Sequence, residues 1–193
     1  MKQVHVFDID GTITTSEGLL KDVTSYIGSK VELEDLVEYN IAESLHLMRF
    51  IDEGSMFDDV EFFKHYANNY LMNSPAHEGV LEYINRLKEL GHEVWFLTAR
   101  QTVNEGKTKV LFKNLGIPFH NVIHTDGAKN KYKYLVELNA THFYEDRPDT
   151  IEYVSENLKS INLFCVDYPY NRYVQDMENV TVIRSWNELL DPR

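Results

Sequence analysis

The sequence predicts an α/β protein, a Rossmann-like parallel sheet flanked by helices, with a small helical cap inserted after the first strand. Three observations point there. Short β-branched or aromatic runs alternate with longer amphipathic segments. The stretch from about Thr15 to Ser74 breaks this alternation, holding several helical patterns in a row and no convincing buried strand. The length of 193 residues suffices for one full domain and a modest insertion, but not for two large cores.

Strands are expected at Gln3 to Phe7, His92 to Leu97, Asn121 to His124, His142 to Tyr144, Asn162 to Val166 and Val180 to Ile183. Between them, Ala76 to Leu90 repeats apolar residues near the helical period (Val80, Leu81, Ile84, Leu87, Leu90), with Gly91 placed to end the helix. Further helices are expected over Asn104 to Leu115, stopped by Gly116, over Asn130 to Leu138, and over Pro148 to Leu158, where Pro148 suits a first turn. The domains are then a core of residues 1–14 and 75–193 and a cap of residues 15–74, joined near Thr14 and Pro75. The cap's apolar residues, Leu36, Val37, Ile41, Leu45, Met48, Phe57, Phe62, Phe63, Tyr66 and Leu71, exceed what one short surface helix needs to bury.

Composition narrows the function classes. With 43% hydrophobic and 26% charged residues the chain reads as an ordinary globular protein. No stretch approaches the roughly 20 apolar residues of a membrane span. The start Met1-Lys2-Gln3-Val4-His5-Val6-Phe7-Asp8 places a charged residue too early for a secretory signal, whose apolar region needs about 7–15 residues, so a cytoplasmic location is expected. The single cysteine, Cys165, lies in an apolar run and agrees with a reducing compartment. A formal charge of −12 argues against nucleic acid as a partner, though not against a single nucleotide. The eight histidines show no HExxH spacing, and neither GxxxxGK[ST] nor GxGxxG occurs.

The most informative stretch is Val6-Phe7-Asp8-Ile9-Asp10-Gly11-Thr12. Two carboxylates two residues apart, directly after an apolar strand, project at the strand's carboxyl end, where open α/β sheets bind ligands. Two anions at ~4 Å repel by about 4 kcal/mol at an effective dielectric near 20, so the site calls for a cation or a proton between them.

These residues resemble the first motif of the haloacid dehalogenase superfamily, Asp-x-Asp-Gly-Thr after a central strand. Three further places agree in order: Thr98 in Leu97-Thr98-Ala99-Arg100, Lys131 at the start of a helix, and Glu145-Asp146 after a short strand. The resemblance implies a phosphatase in which Asp8 is the nucleophile, forming an aspartyl-phosphate, and Asp10 the general acid and base, its pKa raised by Asp8. It implies Mg²⁺ held by Asp8, Asp146 and the backbone carbonyl of Asp10, with Glu145 and Asp149 acting through water or one contact removed. Thr98 and Lys131 would bind the phosphoryl group, with Lys129 and Lys133 as rivals to Lys131. Arg100 would contact substrate or pair with an acid, and Arg147 and Asp149 would tie the fourth-motif loop together, with a simple helix-start role for Asp149 as an equal alternative.

Within the superfamily the chain is similar to the 5'-nucleotidases and 5'(3')-deoxyribonucleotidases, through Phe143-Tyr144-Glu145-Asp146-Arg147-Pro148, Thr98-Ala99-Arg100, the helical cap and Asp167-Tyr168-Pro169-Tyr170-Asn171. A nucleoside monophosphate is then the expected substrate, with Phe50, Phe57, Phe62 or Tyr66 as candidates to stack on its base. A sugar phosphate or other metabolite, a polynucleotide end, and a non-catalytic ligand-binding protein of the same fold stand as alternatives. Oligomeric state is not legible.

Overall fold

The computed structural model of the chain describes residues 2–51, 61, 62, 64 and 71–190. In chain order the elements are β1 (Val4–Phe7), α1 (Glu17–Ile27), α2 (Ile41–Leu47), α3 (Val80–Glu89), β2 (Glu93–Thr98), α4 (Glu105–Leu115), β3 (Val122–His124), α5 (Lys131–Glu137), β4 (His142–Glu145), α6 (Pro148–Asn157), β5 (Asn162–Val166), β6 (Val180–Ile183) and α7 (Asn187–Leu190). The strands form one parallel sheet in the order β3-β2-β1-β4-β5-β6. The α/β class read from the sequence is therefore the observed one. No helix among the described residues is long and apolar enough to cross a membrane.

The two faces of the central strands feed two cores, as the two-residue period of a strand requires. On one face Phe7, Tyr144 and Phe164 are register partners across β1, β4 and β5, and their rings stack at 4.2 and 4.8 Å. Trp186 packs against Phe7 and Tyr144 there. On the other face Val6, Phe143, Leu163 and Cys165 meet Leu135 of α5 and Ile151 and Val154 of α6. Asp8 and Glu145 follow Val6 and Phe143 by two residues, so they share the face on which α5 lies.

Between β1 and α3, the described residues hold α1, α2 and a 3₁₀ turn at Leu33–Asp35. Val23, Leu36, Ile41, Leu45 and Phe62 from this stretch join Phe7, Ile9 and Ile13 in one buried cluster. Leu71 is buried as well, whereas Val37 and Met48 are exposed, each standing just past the end of its turn or helix. Phe57, Phe63 and Tyr66 lie outside the described residues.

Helix α3 begins four residues later than the periodicity implies, at Val80 instead of Ala76. Ala76 pairs with Thr14, His77 N–H donates to Ile13 O at 2.9 Å, and Gly79 takes a left-handed φ of 82°. Those contacts hold the segment extended against the first loop, a long-range demand invisible to local pattern.

At the amino end of the sheet His5 is buried, stacked on His142 at 4.1 Å and tilted against His92 at 5.3 Å. Burial, helped by the neighbouring His142 and His92, lowers its pKa from 6.5 to about 3. The unfolded chain then binds more protons than the folded one between those values. Stability from this ring is complete above about pH 6.5 and is lost as pH falls toward 3. Urea melts from pH 4 to 7 should show wild type losing stability more steeply than His5→Gln, by close to one proton; parallel curves would refute the assignment.

Candidate active site

β1 ends at Phe7, and Asp8 N–H still donates to Tyr144 O at 2.9 Å, so the Asp8 carboxylate leaves the sheet from its centre. The chain then turns tightly, with Ile9 O accepting from Ile13 and Thr14 N–H, both at 3.0 Å. Gly11 takes φ 79°, and a Cβ there would lie 2.4 Å from Asp146 Oδ2. Only glycine meets both conditions.

Lys131, the first residue of α5, is 1% exposed and donates to Asp8 Oδ1 at 2.5 Å and Glu145 Oε2 at 2.6 Å. The rivals Lys129 and Lys133 are exposed. Glu145 Oε1 accepts from the backbone N–H of Asp146 at 3.1 Å and of Arg147 at 3.2 Å, which fixes the loop after β4. Asp146 Oδ2 accepts from the Tyr170 hydroxyl at 2.6 Å, and Asn171 Nδ2 donates to the Asp146 carbonyl at 2.7 Å.

Asp8, Glu145 and Asp146 each bring a carboxylate oxygen within 4.8 Å of the others, all three buried. With Lys131 as their one bonded ammonium, the ionised group carries two uncompensated negative charges. Burial pushes the Asp8 carboxyl up to about 7 despite the Lys131 ammonium, and it holds Asp146 well above the usual carboxylate range, with the Glu145 and Asp8 charges adding to it. Burial would lower Lys131, but the Asp8 and Glu145 carboxylates outweigh it and hold the ammonium charged. A buried cluster of carboxylate oxygens with excess negative charge and a glycine cradle for Asp146 fits a hard divalent cation. The carboxylate brought to this cluster is Glu145, expected one contact removed from the metal, whereas the Asp10 side chain lies apart.

Asp10 is instead gripped by Arg100, whose Nε and Nη2 donate to its two oxygens at 2.8 and 2.7 Å, while Nη1 reaches Thr108 Oγ1 at 3.2 Å. Of the two readings of Arg100, pairing with an acid is the one observed. Thr98 ends β2, buried, and its Oγ1 accepts from Arg100 N–H at 3.2 Å. Asp149 gives both oxygens to Arg147, at 2.5 and 2.8 Å, which ties the fourth-motif loop as expected.

A cavity of about 630 Å³ opens beside the cluster, its lining including Asp10, Asp146, Arg100, Arg147, Tyr39 and Tyr170. Phe50 and Phe62 pack into the core and are not in that lining; Phe57 and Tyr66 lie outside the described residues. The aromatic wall is Tyr39 with Tyr170, an edge-to-face pair at 5.5 Å. Sequence reasoning flagged Tyr170 only within a family-like segment and missed Tyr39, since nothing local marks a residue that gains its role from a chain segment far away.

The fold has solved counterparts. A hydrolase from Deinococcus radiodurans R1, described as HAD (haloacid dehalogenase) family and holding phosphate and sodium, superposes with a TM-score of 0.70 at 14% identity, over 97% of this chain and 93% of that one. The chain has the haloacid dehalogenase fold. A "predicted phosphatase" of Clostridium acetobutylicum shares it at a TM-score of 0.67 and 19% identity, covering 98% of this chain and 96% of that one. No protein-family model matches the chain. Among curated proteins it is similar to "putative nucleotidase BH1399" of Halalkalibacterium halodurans, 29% identical over 94% of this chain and 87% of that protein. It is also similar to "nucleotidase CA_C3379" of Clostridium acetobutylicum, 24% identical over 98% of this chain and 93% of that protein. In the haloacid dehalogenase fold of this chain, the carboxylate cluster sits at the carboxyl ends of the adjacent strands β1 and β4.

Proposed function

We propose that the protein is a Mg²⁺-dependent phosphatase that transfers the phosphoryl group of a small monoester to Asp8 and then to water. The observation that carries this reading is the buried Asp8–Glu145–Asp146 cluster, bridged by Lys131 and placed beside a cavity of ligand size. Asp8, Asp146 and the Asp10 carbonyl, with Glu145 adjacent, would hold the ion. Bound there, Mg²⁺ supplies charge that lets an anionic nucleophile approach an anionic phosphate.

In the first step an Asp8 oxygen attacks phosphorus, the bond from phosphorus to the ester oxygen breaks, and Asp10 gives a proton to the departing oxygen. In the second, Asp10 takes a proton from water as that water's oxygen attacks phosphorus, and the bond to Asp8 breaks with release of phosphate. Both Asp10 oxygens accept from Arg100 in this structure, so the acid role entails releasing at least one of them. Thr98 and Lys131 would hold the phosphoryl oxygens and balance their charge. Residues 15–74 would act as a cap over the cavity, with Tyr39 contributed from that side. The setting is proposed to be cytoplasmic, in keeping with the buried thiol of Cys165.

A nucleoside 5'-monophosphate is the substrate we favour. The names of the curated relatives support it, and so do the Tyr39 and Tyr170 rings on a cavity of about 630 Å³. Phosphate release should be measured with Mg²⁺ over ribo- and deoxynucleoside monophosphates, sugar phosphates and a 3'-phosphorylated oligonucleotide. Nucleoside monophosphates should lead, with release abolished by EDTA. Preference for another compound replaces the substrate, and release that survives EDTA refutes the role of the metal.

A further inference from the structure

We infer that Tyr170 is a positioning residue for Asp146 as a metal ligand, and that Tyr39 keeps Tyr170 in place, tying the chain ahead of α2 to the metal site. This rests on the reading of Asp146 as a ligand to Mg²⁺.

The Tyr170 hydroxyl donates to Asp146 Oδ2 at 2.6 Å, the length of a strong hydrogen bond to an ionised carboxylate. Asn171, the next residue, holds the Asp146 carbonyl at 2.7 Å, so one 3₁₀ turn, Pro169–Val174, grips the aspartate at both main chain and side chain. Asp146 Oδ1 has a weaker partner, Thr12 Oγ1 at 3.4 Å, and is left the freer oxygen to face a cation. The phenol itself is wedged: the Tyr168 ring stacks on it at 5.0 Å and 7°, and the Tyr39 ring meets it edge to face at 5.5 Å and 84°. The Arg147 guanidinium lies 4.7 Å from the Tyr39 ring centre, so Tyr39 touches both the group that orients Asp146 and the residue that follows it. A change in the position of Tyr39 would then alter metal affinity, and by reciprocity metal binding would bias the position of Tyr39.

The test is Mg²⁺ affinity of the substrate-free protein by isothermal titration calorimetry, with melting temperatures as a control for folding. Tyr170→Phe keeps the ring and removes the hydroxyl; it should weaken Mg²⁺ about 10- to 100-fold. Tyr83→Phe, which removes a hydroxyl bonded to Tyr144 on the opposite face of the sheet, should leave affinity unchanged. Tyr39→Ala should weaken Mg²⁺ roughly two- to tenfold and Tyr39→Phe should not. If Asp146→Asn loses Mg²⁺ while Tyr170→Phe binds as wild type does, the inference is overturned and the metal reading stands. If Tyr39→Ala binds as wild type does, the coupling to Tyr39 is overturned. A wild type that binds no Mg²⁺ removes the metal reading and the inference with it.

Discussion

Asp8→Asn should abolish phosphate release while leaving the protein no less stable than before. An amide is neutral and a poor nucleophile, so the first chemical step loses its attacking group. Removal of a nucleophile of this kind costs on the order of 10⁴-fold or more in turnover. Stability moves the other way because the native site holds the Asp8 carboxylate where it is costly: burial raises its pKa from 3.8 to about 7, so ionising it disfavours the folded state. The sign follows from the proton count. Below pH 3.8 the carboxyl is protonated folded and unfolded, and no penalty exists; the penalty grows between 3.8 and about 7 and is fully present above. Melting of the metal-free proteins should therefore show the variant gaining on wild type as pH rises through that window. Retained turnover would remove Asp8 from the chemistry, and a variant that loses stability at pH 8 would show that the Lys131 contact outweighs the desolvation of the carboxylate.

Gly11→Ala should raise the Mg²⁺ requirement for activity, for a steric reason. The new Cβ would stand 2.4 Å from Asp146 Oδ2 and 2.6 Å from its Cγ, distances that non-bonded atoms do not tolerate, and φ 79° is unfavourable for alanine in any case. The left-handed conformation alone costs roughly 1–2 kcal/mol. Asp146 must then give way, breaking its bond to Tyr170 or its approach to Asp8 and Glu145. Loss of a group that orients a metal ligand costs about 10- to 100-fold in metal affinity, and displacement of the ligand itself should cost no less. Steady-state rates across a Mg²⁺ series would show the Mg²⁺ requirement rising by at least that factor, with the far-ultraviolet circular dichroism unchanged. An unaltered Mg²⁺ requirement would mean that the position of Asp146 does not matter to the ion.

What could be read beforehand follows from where the chemistry sits. Asp8, Thr98, Lys131 and Glu145-Asp146 stand at strand ends or a helix start, places that hydrophobic periodicity locates without tertiary information. The preference for Lys131 over its neighbours rests on its place at the helix start and on a spacing to Glu145-Asp146 that resembles the family's; its burial between two carboxylates sets it apart from the exposed Lys129 and Lys133. Tyr39 and Tyr170 were not legible in role, because each acquires it from a partner in another segment: Tyr170 from Asp146, and Tyr39 from both Tyr170 and Arg147; for Arg100 an acidic partner was one of two readings, and what was not legible was that the acid is Asp10 on a different strand end. The start of α3 failed in the same way, since Ala76 and His77 answer to the first loop and not to their own helix. Phe50, Phe57, Phe62 and Tyr66 could have faced a base or filled the core, with core the favoured reading for each; of the described ones Phe50 packs against the core and Phe62 is wholly buried against Tyr26. Periodicity tells that a ring will be covered, not by what.

The central place of β1 also governs when the carboxylate cluster can form during synthesis. Val6 pairs on one side with Trp95 and on the other with Phe143, so the strand that carries Asp8 is made first and waits for both neighbours. At 5–20 residues per second, the ribosome needs roughly 7–30 s to pass from β1 to β4. Until then no contiguous fragment contains Asp8 together with Glu145 and Asp146, so the carboxylate cluster cannot assemble before β4 pairs with β1.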